Sequence, residues 1–164
     1  VLGTRGGQGY AEGSCWSRGQ SWAVYGFILS YIHTKEEKYL DTAKKVAHYF
    51  IMNAESTNWL PLCDFRAPEA PVYYDSTAGA IAACGLIEIA KNVPEYEKNI
   101  YLSAAMKLVK SLEANFCNWD ENEDSILQMG TEMYDKGVHK PIIYGDYFFT
   151  EAILKLKGSE FLPW

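Results

Sequence analysis

A similar pattern occurs three times in the sequence, and it restricts the fold more than any other feature. An aromatic residue and a polar cluster stand at the start of an apolar helical segment at residues 16–20, 74–78 and 144–147. These starts are roughly 60 to 70 residues apart, and one amphipathic segment lies between each consecutive pair. The pattern predicts a stack of α/α hairpins with apolar inner helices and half-exposed outer helices. A ring of six such hairpins would need more than twice the 164 residues of this chain.

The spacing of apolar residues predicts five helices, over residues 17–33, 38–52, 76–90, 96–115 and 144–157. The third is nearly apolar on all sides, which predicts burial around most of its circumference. The apolar face of the first helix consists of Trp22, Tyr25, Leu29 and Ile32. The connector over residues 53–74 is rich in proline and aromatic residues, and it forms either a short hairpin or a packed loop.

Three aspartates are candidates for general acids: Asp64, Asp75 and Asp146. Asp75 and Asp146 stand at the predicted starts of the third and fifth helices. A carboxylate there accepts hydrogen bonds from the free N–H groups of the first turn. We therefore expect these two residues to cap helices rather than to act in catalysis.

Composition excludes several kinds of partner. The formal net charge is −6 and no Lys/Arg cluster occurs, so duplex nucleic acid is not an expected partner. No apolar run approaches the roughly 20 residues that a membrane span needs, so no membrane partner is expected. The four cysteines form no C-x-x-C pair and have no histidine at ligand spacing, which argues against a zinc site and favours buried free thiols.

Polar side chains that could bind a ligand cluster near the start of the first helix. In a hairpin stack the inner helices present their N-terminal ends to one mouth, where donors and helix dipoles favour an anion. Arg18 could hold a carboxylate with its planar fork, and Trp22, one turn further along, could stack on a sugar ring. Gln8 lies between glycines that allow close backbone approach. The alternatives are that Arg18 is a structural ion-pair partner and that Trp22 belongs to the core.

Three blocks of the sequence carry a family resemblance. They are residues 8–27, 75–78 and 145–152, and the first is the longest and most specific, containing Gln8-Gly9-Tyr10 and Trp16-x-Arg18-Gly19-Gln20-x-Trp22. Together they resemble the unsaturated glucuronyl hydrolases, glycoside hydrolase family 88. The match covers most of the chain and aligns with the C-terminal half of that family. Gly7 and Pro141 depart from the residues that many members carry, His and Ser respectively.

The resemblance implies an all-α fold, an (α/α)6 toroid, of which residues 1–164 form the C-terminal part of a single catalytic domain. It implies removal of a 4,5-unsaturated uronic acid from the non-reducing end of lyase-generated oligosaccharides. In that family an aspartate protonates the vinyl ether and activates water, and hydration opens the sugar. By motif position, Gln8, Arg18 and Trp22 match substrate-binding residues. No metal or organic cofactor is implied.

The family's two catalytic aspartates belong to the N-terminal half, so we expect no catalytic residue here and no activity from this chain alone. The expected partners are the unsaturated oligosaccharide, the missing half and, through exposed helices, a second copy. The sequence leaves the compartment unknown and does not distinguish a cytoplasmic from a periplasmic location. The alternatives are an unsaturated rhamnogalacturonyl hydrolase, a non-catalytic carbohydrate-binding half-toroid and a sugar epimerase. Epimerases usually have catalytic histidines at inner-helix ends, and no histidine here lies at the N-terminal end of a predicted inner helix.

Overall fold

The computed structural model describes residue 3 and residues 7–163, so Val1 and Trp164, the ends of the predicted domain, lie outside the described part. Five α-helices follow one another in this part: α1 (Ser17–Thr34), α2 (Glu37–Ser56), α3 (Ser76–Asn92), α4 (Glu95–Phe116) and α5 (Ile143–Leu156). The described residues contain no extended strand, only isolated β-bridges in the connectors. All five predicted helices are present, with ends displaced by at most four residues.

The five helices form two layers. The inner helices α1, α3 and α5 lie side by side with α3 in the middle, while α2 packs on α1 and α4 on α3. Helix α3 is buried continuously from Ser76 to Ala90, because neighbours cover it on three sides. The predicted stack of α/α hairpins, with apolar inner and half-exposed outer helices, is confirmed.

Small residues let α1 and α3 approach closely. A Cβ atom at Gly85 of α3 would lie 2.9 Å from the Cα of Tyr25 and 2.9 Å from a methyl group of Val24. Real Cβ atoms do not come so near to backbone, so this position admits only glycine at the present helix separation. The glycine thus sets how far apart the first two inner helices stand.

The apolar face predicted for α1 is correct except at its start. Tyr25 and Leu29 are buried, whereas Trp22 is 36% exposed. Trp22 is therefore not a fully buried member of the predicted apolar face. Phe148 of α5 packs against the indole in a T-shaped contact, with ring centroids 5.3 Å apart, and about a third of the Trp22 surface stays exposed.

A buried carboxylate joins two loops at the entrance to α1. Asp64 is 1% exposed and accepts hydrogen bonds from four donors: the backbone N–H groups of Tyr10, Cys15 and Arg66 and the hydroxyl of Ser14. Gly9 is needed beside it, because a Cβ atom there would lie 2.5 Å from Asp64 Oδ2. The 53–74 connector is mostly a packed loop, and its strand-like pairing is limited to an isolated antiparallel bridge between Leu62 and Tyr74.

A charged network is enclosed between the inner helices. Lys155 Nζ on α5 lies 2.7 Å from Glu88 Oε1 on α3 and 3.4 Å from Glu151 Oε1, and these side chains are at most 4% exposed. The hydroxyl of Tyr25 on α1 donates to Glu151, and burial raises the pKa of that phenol. Lys155 also donates to the carbonyl of Phe161 at 2.6 Å. Such charges are tolerated in an interior only when each is paired.

The four cysteines are unbridged thiols, as predicted, and Cys15, Cys63 and Cys84 are buried. Burial raises the pKa of all four thiols, which makes them poor nucleophiles. Within residues 7–163 we find no helix long and apolar enough to cross a membrane.

Candidate functional site

A cleft of about 390 Å³ opens at the N-terminal ends of α1 and α5. Its lining comprises Gln8, Arg18, Glu132, Gly137, Lys140, Pro141, Ile142 and Tyr144. Two of the three predicted site residues, Gln8 and Arg18, thus meet in one cavity. Trp22 lies beside it, because its ring contacts Tyr144 edge-on with centroids 6.4 Å apart.

Arg18 is held in a buried ion pair at the back of the cleft. Its Nε donates to Asp75 Oδ2 at 3.0 Å, and Nη2 lies 2.9 Å from the same oxygen and also donates to the carbonyl of Thr131. The side chains of Arg18 and Asp75 are 4% and 0% exposed. Complete burial raises the pKa of the Asp75 carboxyl above its usual range, and the guanidinium beside it opposes that rise. Nη1 makes no recorded hydrogen bond to a described residue.

The predicted capping roles of two aspartates are wrong. Asp75 does occupy the N-cap position of α3, but its carboxylate makes no capping hydrogen bond because it is turned towards Arg18. Asp146 lies inside the first turn of α5, which begins at Ile143. Its carboxylate accepts from the hydroxyl of Ser125 at 2.6 Å and from the N–H of Leu127 at 2.7 Å. Both carboxylates therefore join a helix start to a loop.

One wall of the cleft is a short irregular hairpin over residues 129–140, here called the cleft hairpin. Its two arms are bridged at Gly130 and Lys140 and again at Met133 and Lys136. Its turn uses left-handed backbone at Asp135 (φ 61°) and Gly137 (φ 56°), as tight hairpins commonly do.

The cleft hairpin is fastened to the inner helices through Thr131, which is fully buried. The Thr131 carbonyl accepts from Arg18, its N–H donates weakly to Asp75 Oδ1 at 3.4 Å, and its hydroxyl donates to the carbonyl of Tyr74 at 2.5 Å. The ion pair at the back of the cleft therefore also positions the wall.

Gln8 joins the N-terminal loop to the same wall. Its side-chain Nε2 donates to the carbonyl of Glu132 at 2.7 Å, and its own carbonyl accepts from the N–H of Tyr134 at 2.8 Å. The amide is half-buried, so it can keep this contact and still border the cavity.

Sequence reasoning missed the contribution of the cleft hairpin, including Glu132 and Lys140. The run Asp135-Lys136-Gly137 was a turn signal, but the flanking residues show no alternation that would have indicated paired strands. No grouping of three or more His, Cys, Asp or Glu side chains suited to a metal ion occurs in the described part of the chain.

A second groove, of about 430 Å³, runs along α5 and is mostly apolar; its walls include Ile143, Tyr147, Leu154 and Phe161. Ile143 is 74% exposed and Phe161 55%. The groove lies on the open side of the last inner helix and contains none of the predicted site residues, so we regard it as an uncovered edge of the hairpin stack rather than as the site.

Known proteins match this chain along nearly its whole length. An unsaturated glucuronyl hydrolase of Bacillus sp. (strain GL1) is 35% identical over 161 aligned residues, covering 93% of this chain and 42% of that protein. The crystal structure of the enzyme from Bacillus sp. GL1 superposes with a TM-score of 0.87 at 34% identity, covering 96% of this chain and 43% of that one. This chain is a homologue of the unsaturated glucuronyl hydrolases. No protein-family model matches it.

Two further relatives match this chain with similar identity and coverage. An unsaturated chondroitin disaccharide hydrolase of Streptococcus pneumoniae is 34% identical over 170 aligned residues, covering 96% of this chain and 41% of that protein. A mutant unsaturated glucuronyl hydrolase of Streptococcus agalactiae, solved with dGlcA-GalNAc6S, superposes with a TM-score of 0.87 at 31% identity, covering all of this chain and 45% of that one. The chain thus spans about two fifths of its relatives' length. Its five helices are part of an (α/α)6 toroid, as predicted.

Proposed function

We propose that this chain is part of a glycoside hydrolase that removes 4,5-unsaturated glucuronic acid from the non-reducing end of lyase-generated oligosaccharides. The observation that carries the proposal is the alignment of nearly the whole chain, cleft included, with enzymes of that activity at 34–35% identity. The reaction is hydration of the vinyl ether, after which the sugar ring opens.

Three residues would bind the substrate. Arg18 already uses Nε and Nη2 within the protein, so Nη1 is the group that would donate to the substrate carboxylate. Trp22 offers the uncovered part of its ring as a stacking surface for a pyranose. Gln8 would border the sugar while it holds Glu132 in place.

The catalytic acid would come from the remainder of the enzyme. The three aspartates considered as general acids are engaged elsewhere: Asp75 is paired with Arg18, Asp64 accepts four hydrogen bonds, and Asp146 accepts two. We also expect another part of the protein to bury the apolar edge along α5, because exposed patches of this kind mark interfaces. We infer that the other half of the toroid packs there.

The chain by itself is expected to hydrolyse nothing, because general acid catalysis needs a proton donor at the vinyl ether. The measurement is the loss of the ultraviolet absorbance of the conjugated double bond of an unsaturated disaccharide. The complete protein should turn it over, and the purified chain, shown to be helical by circular dichroism, should not. Turnover by the chain would mean that its own carboxylates are catalytic, and an inactive complete protein would refute the proposed activity.

Replacing Trp22 with alanine in the complete protein should raise KM about two- to tenfold, the equivalent of a ring contact worth about 0.5–1.5 kcal/mol. Because Trp22 is 36% exposed and its ring packs on Phe148 and Tyr144, the free energy of unfolding should also fall, by about 1–2 kcal/mol. Trp119→Ala is the matched control, since Trp119 is 62% exposed and does not line the cleft. An unchanged KM in Trp22→Ala would remove this residue from the proposed site.

A further inference from the structure

The cleft hairpin is fastened at a second point by His139, a residue to which sequence reasoning assigned no role. The backbone N–H of Tyr74 donates to His139 Nε2 at 3.0 Å. The backbone N–H of His139 in turn donates to the hydroxyl of Thr131 at 3.3 Å. His139 thereby links the end of the cleft hairpin to the segment that leads into α3.

This geometry fixes the protonation state of the imidazole. A backbone N–H can only donate, so Nε2 must present its lone pair and the ring proton must be on Nδ1. An imidazolium has donors at both nitrogens and no acceptor. Adding a proton to His139 would set two N–H groups against each other and break the bond to Tyr74.

The two residues that hold the hairpin end, His139 and Thr131, are next in sequence to residues that line the cleft. His139 is followed by Lys140, and Thr131 is followed by Glu132, both of which line the cavity. Thr131 also accepts from Arg18 through its carbonyl. A displaced hairpin end would therefore move the wall that faces Arg18.

We propose that His139 is a positioning residue for the substrate cleft: its neutral ring holds the cleft hairpin against Tyr74, and its protonation releases the hairpin. The hydrogen bond between the cleft hairpin and Tyr74 is observed in the structure of this chain. The effect on substrate affinity rests on the proposed function.

The surroundings of His139 favour release in mild acid. The rings of Tyr73 and Tyr74 lie against the imidazole, with ring centroids 6.2 and 5.9 Å from its own, and tyrosine is uncharged at mildly acidic pH. The Asp75 carboxylate that follows Tyr74 is already paired with Arg18, and Lys140 adds a positive charge next in sequence. None of these groups is an unpaired carboxylate that would stabilise an imidazolium, and burial lowers the pKa of His139 below its ordinary value.

The sign of the pH dependence follows from that lowered pKa. A histidine whose pKa is lower in the folded than in the unfolded state contributes its full stabilisation above the unfolded value, about 6.5. The contribution is lost as the pH falls through the lower, folded pKa. The bond to Tyr74 should hold at neutral pH and open on acidification.

Two substitutions separate the ring's hydrogen bond from its titration, and both are made in the complete protein. His139→Gln supplies an amide oxygen that accepts at any pH in this range, whereas His139→Phe supplies a ring that never accepts. Hydrogen exchange of the Tyr74 amide reports the bond directly. In the wild type its protection should fall about threefold to tenfold on acidification, the equilibrium loss expected for one hydrogen bond. Protection should stay high in His139→Gln and low in His139→Phe throughout.

KM for an unsaturated disaccharide should follow the same pattern, rising about threefold to tenfold in acid for the wild type but not for either His139 variant. His48→Gln is the control: His48 bonds to the hydroxyl of Tyr101 on the outer helices, so its loss should keep the acid response. Equal protection of the Tyr74 amide in all three proteins, or an acid response that survives in His139→Gln, overturns the proposal. Altered protection with a flat KM would show that the hairpin does not set the cleft, which also overturns it. If the complete protein has no activity, the proposed function fails while the exchange data still decide whether His139 holds the hairpin.

Discussion

Replacing Arg18 with alanine is expected to lower the free energy of unfolding by about 3–5 kcal/mol, the usual effect of removing one partner from a buried ion pair. The Asp75 carboxylate, which is fully buried, would lose its counter-charge, and the Thr131 carbonyl would lose its donor. Urea unfolding followed by tryptophan fluorescence measures the change. Substrate affinity should fall as well, because the cleft hairpin loses one of its anchors.

Companion variants separate the structural from the binding role of Arg18. Arg18→Lys keeps a charge for Asp75 but cannot supply several N–H groups in a plane, so it should recover part of the stability and less of the affinity. The double variant Arg18→Met/Asp75→Leu should be more stable than Arg18→Ala, since no unpaired charge remains. A loss below about 1 kcal/mol in Arg18→Ala, the level of an exposed pair, would contradict the buried pair described here.

Replacing Gly85 with alanine is expected to destabilise the protein by about 1–3 kcal/mol, although alanine is the better helix former. The added methyl group would meet the backbone of Tyr25 at 2.9 Å, and backbone cannot move aside as a flexible side chain can. Helix α1 would have to shift away from α3. Thermal or urea unfolding of the variant beside the wild type gives the change.

Gly26→Ala is the matched control for this crowding. Gly26 lies in α1, and a Cβ atom there would meet nothing within 4 Å. The substitution should stabilise the protein by about 0.5–1 kcal/mol through helix propensity and a less flexible unfolded chain. If both glycine variants changed stability in the same direction and by similar amounts, the close approach of α1 and α3 would not be the limiting contact.

The helices could be predicted from the sequence because their signal is local. Apolar residues at helical spacing and a run of small residues over 76–90 were enough to separate the buried α3 from its neighbours. Local sequence signals gave a wrong prediction for the role of the Asp75 side chain. A helix start with an aspartate favours a capping interaction, yet the partner of that aspartate is Arg18, 57 residues earlier in the chain.

The site could be predicted only in part, for a similar reason. Gln8, Arg18 and Trp22 came from motif positions in a resemblance, and the structure places two of them in one cleft and the third beside it. The wall opposite them is a hairpin whose strands show neither alternation nor length. Its position depends on two hydrogen bonds with Tyr74, one donated by the Thr131 hydroxyl and one accepted by the His139 ring, and no periodicity in the sequence encodes such contacts.

The charged network between the inner helices has a consequence for how the hairpins align. Its members come from three helices: Tyr25 from α1, Glu88 from α3, and Glu151 with Lys155 from α5. Sliding α5 by one helical turn, about 5.4 Å, would still allow apolar side chains to pack, because such contacts are not directional. It would, however, carry Lys155 away from Glu88 and Glu151 away from the Tyr25 hydroxyl, and each charge would keep only a partner on its own helix. The network therefore favours one position of α5 along its axis, although apolar packing alone would accept several. Because Tyr25 belongs to α1, the position of α5 also depends on where the first inner helix lies.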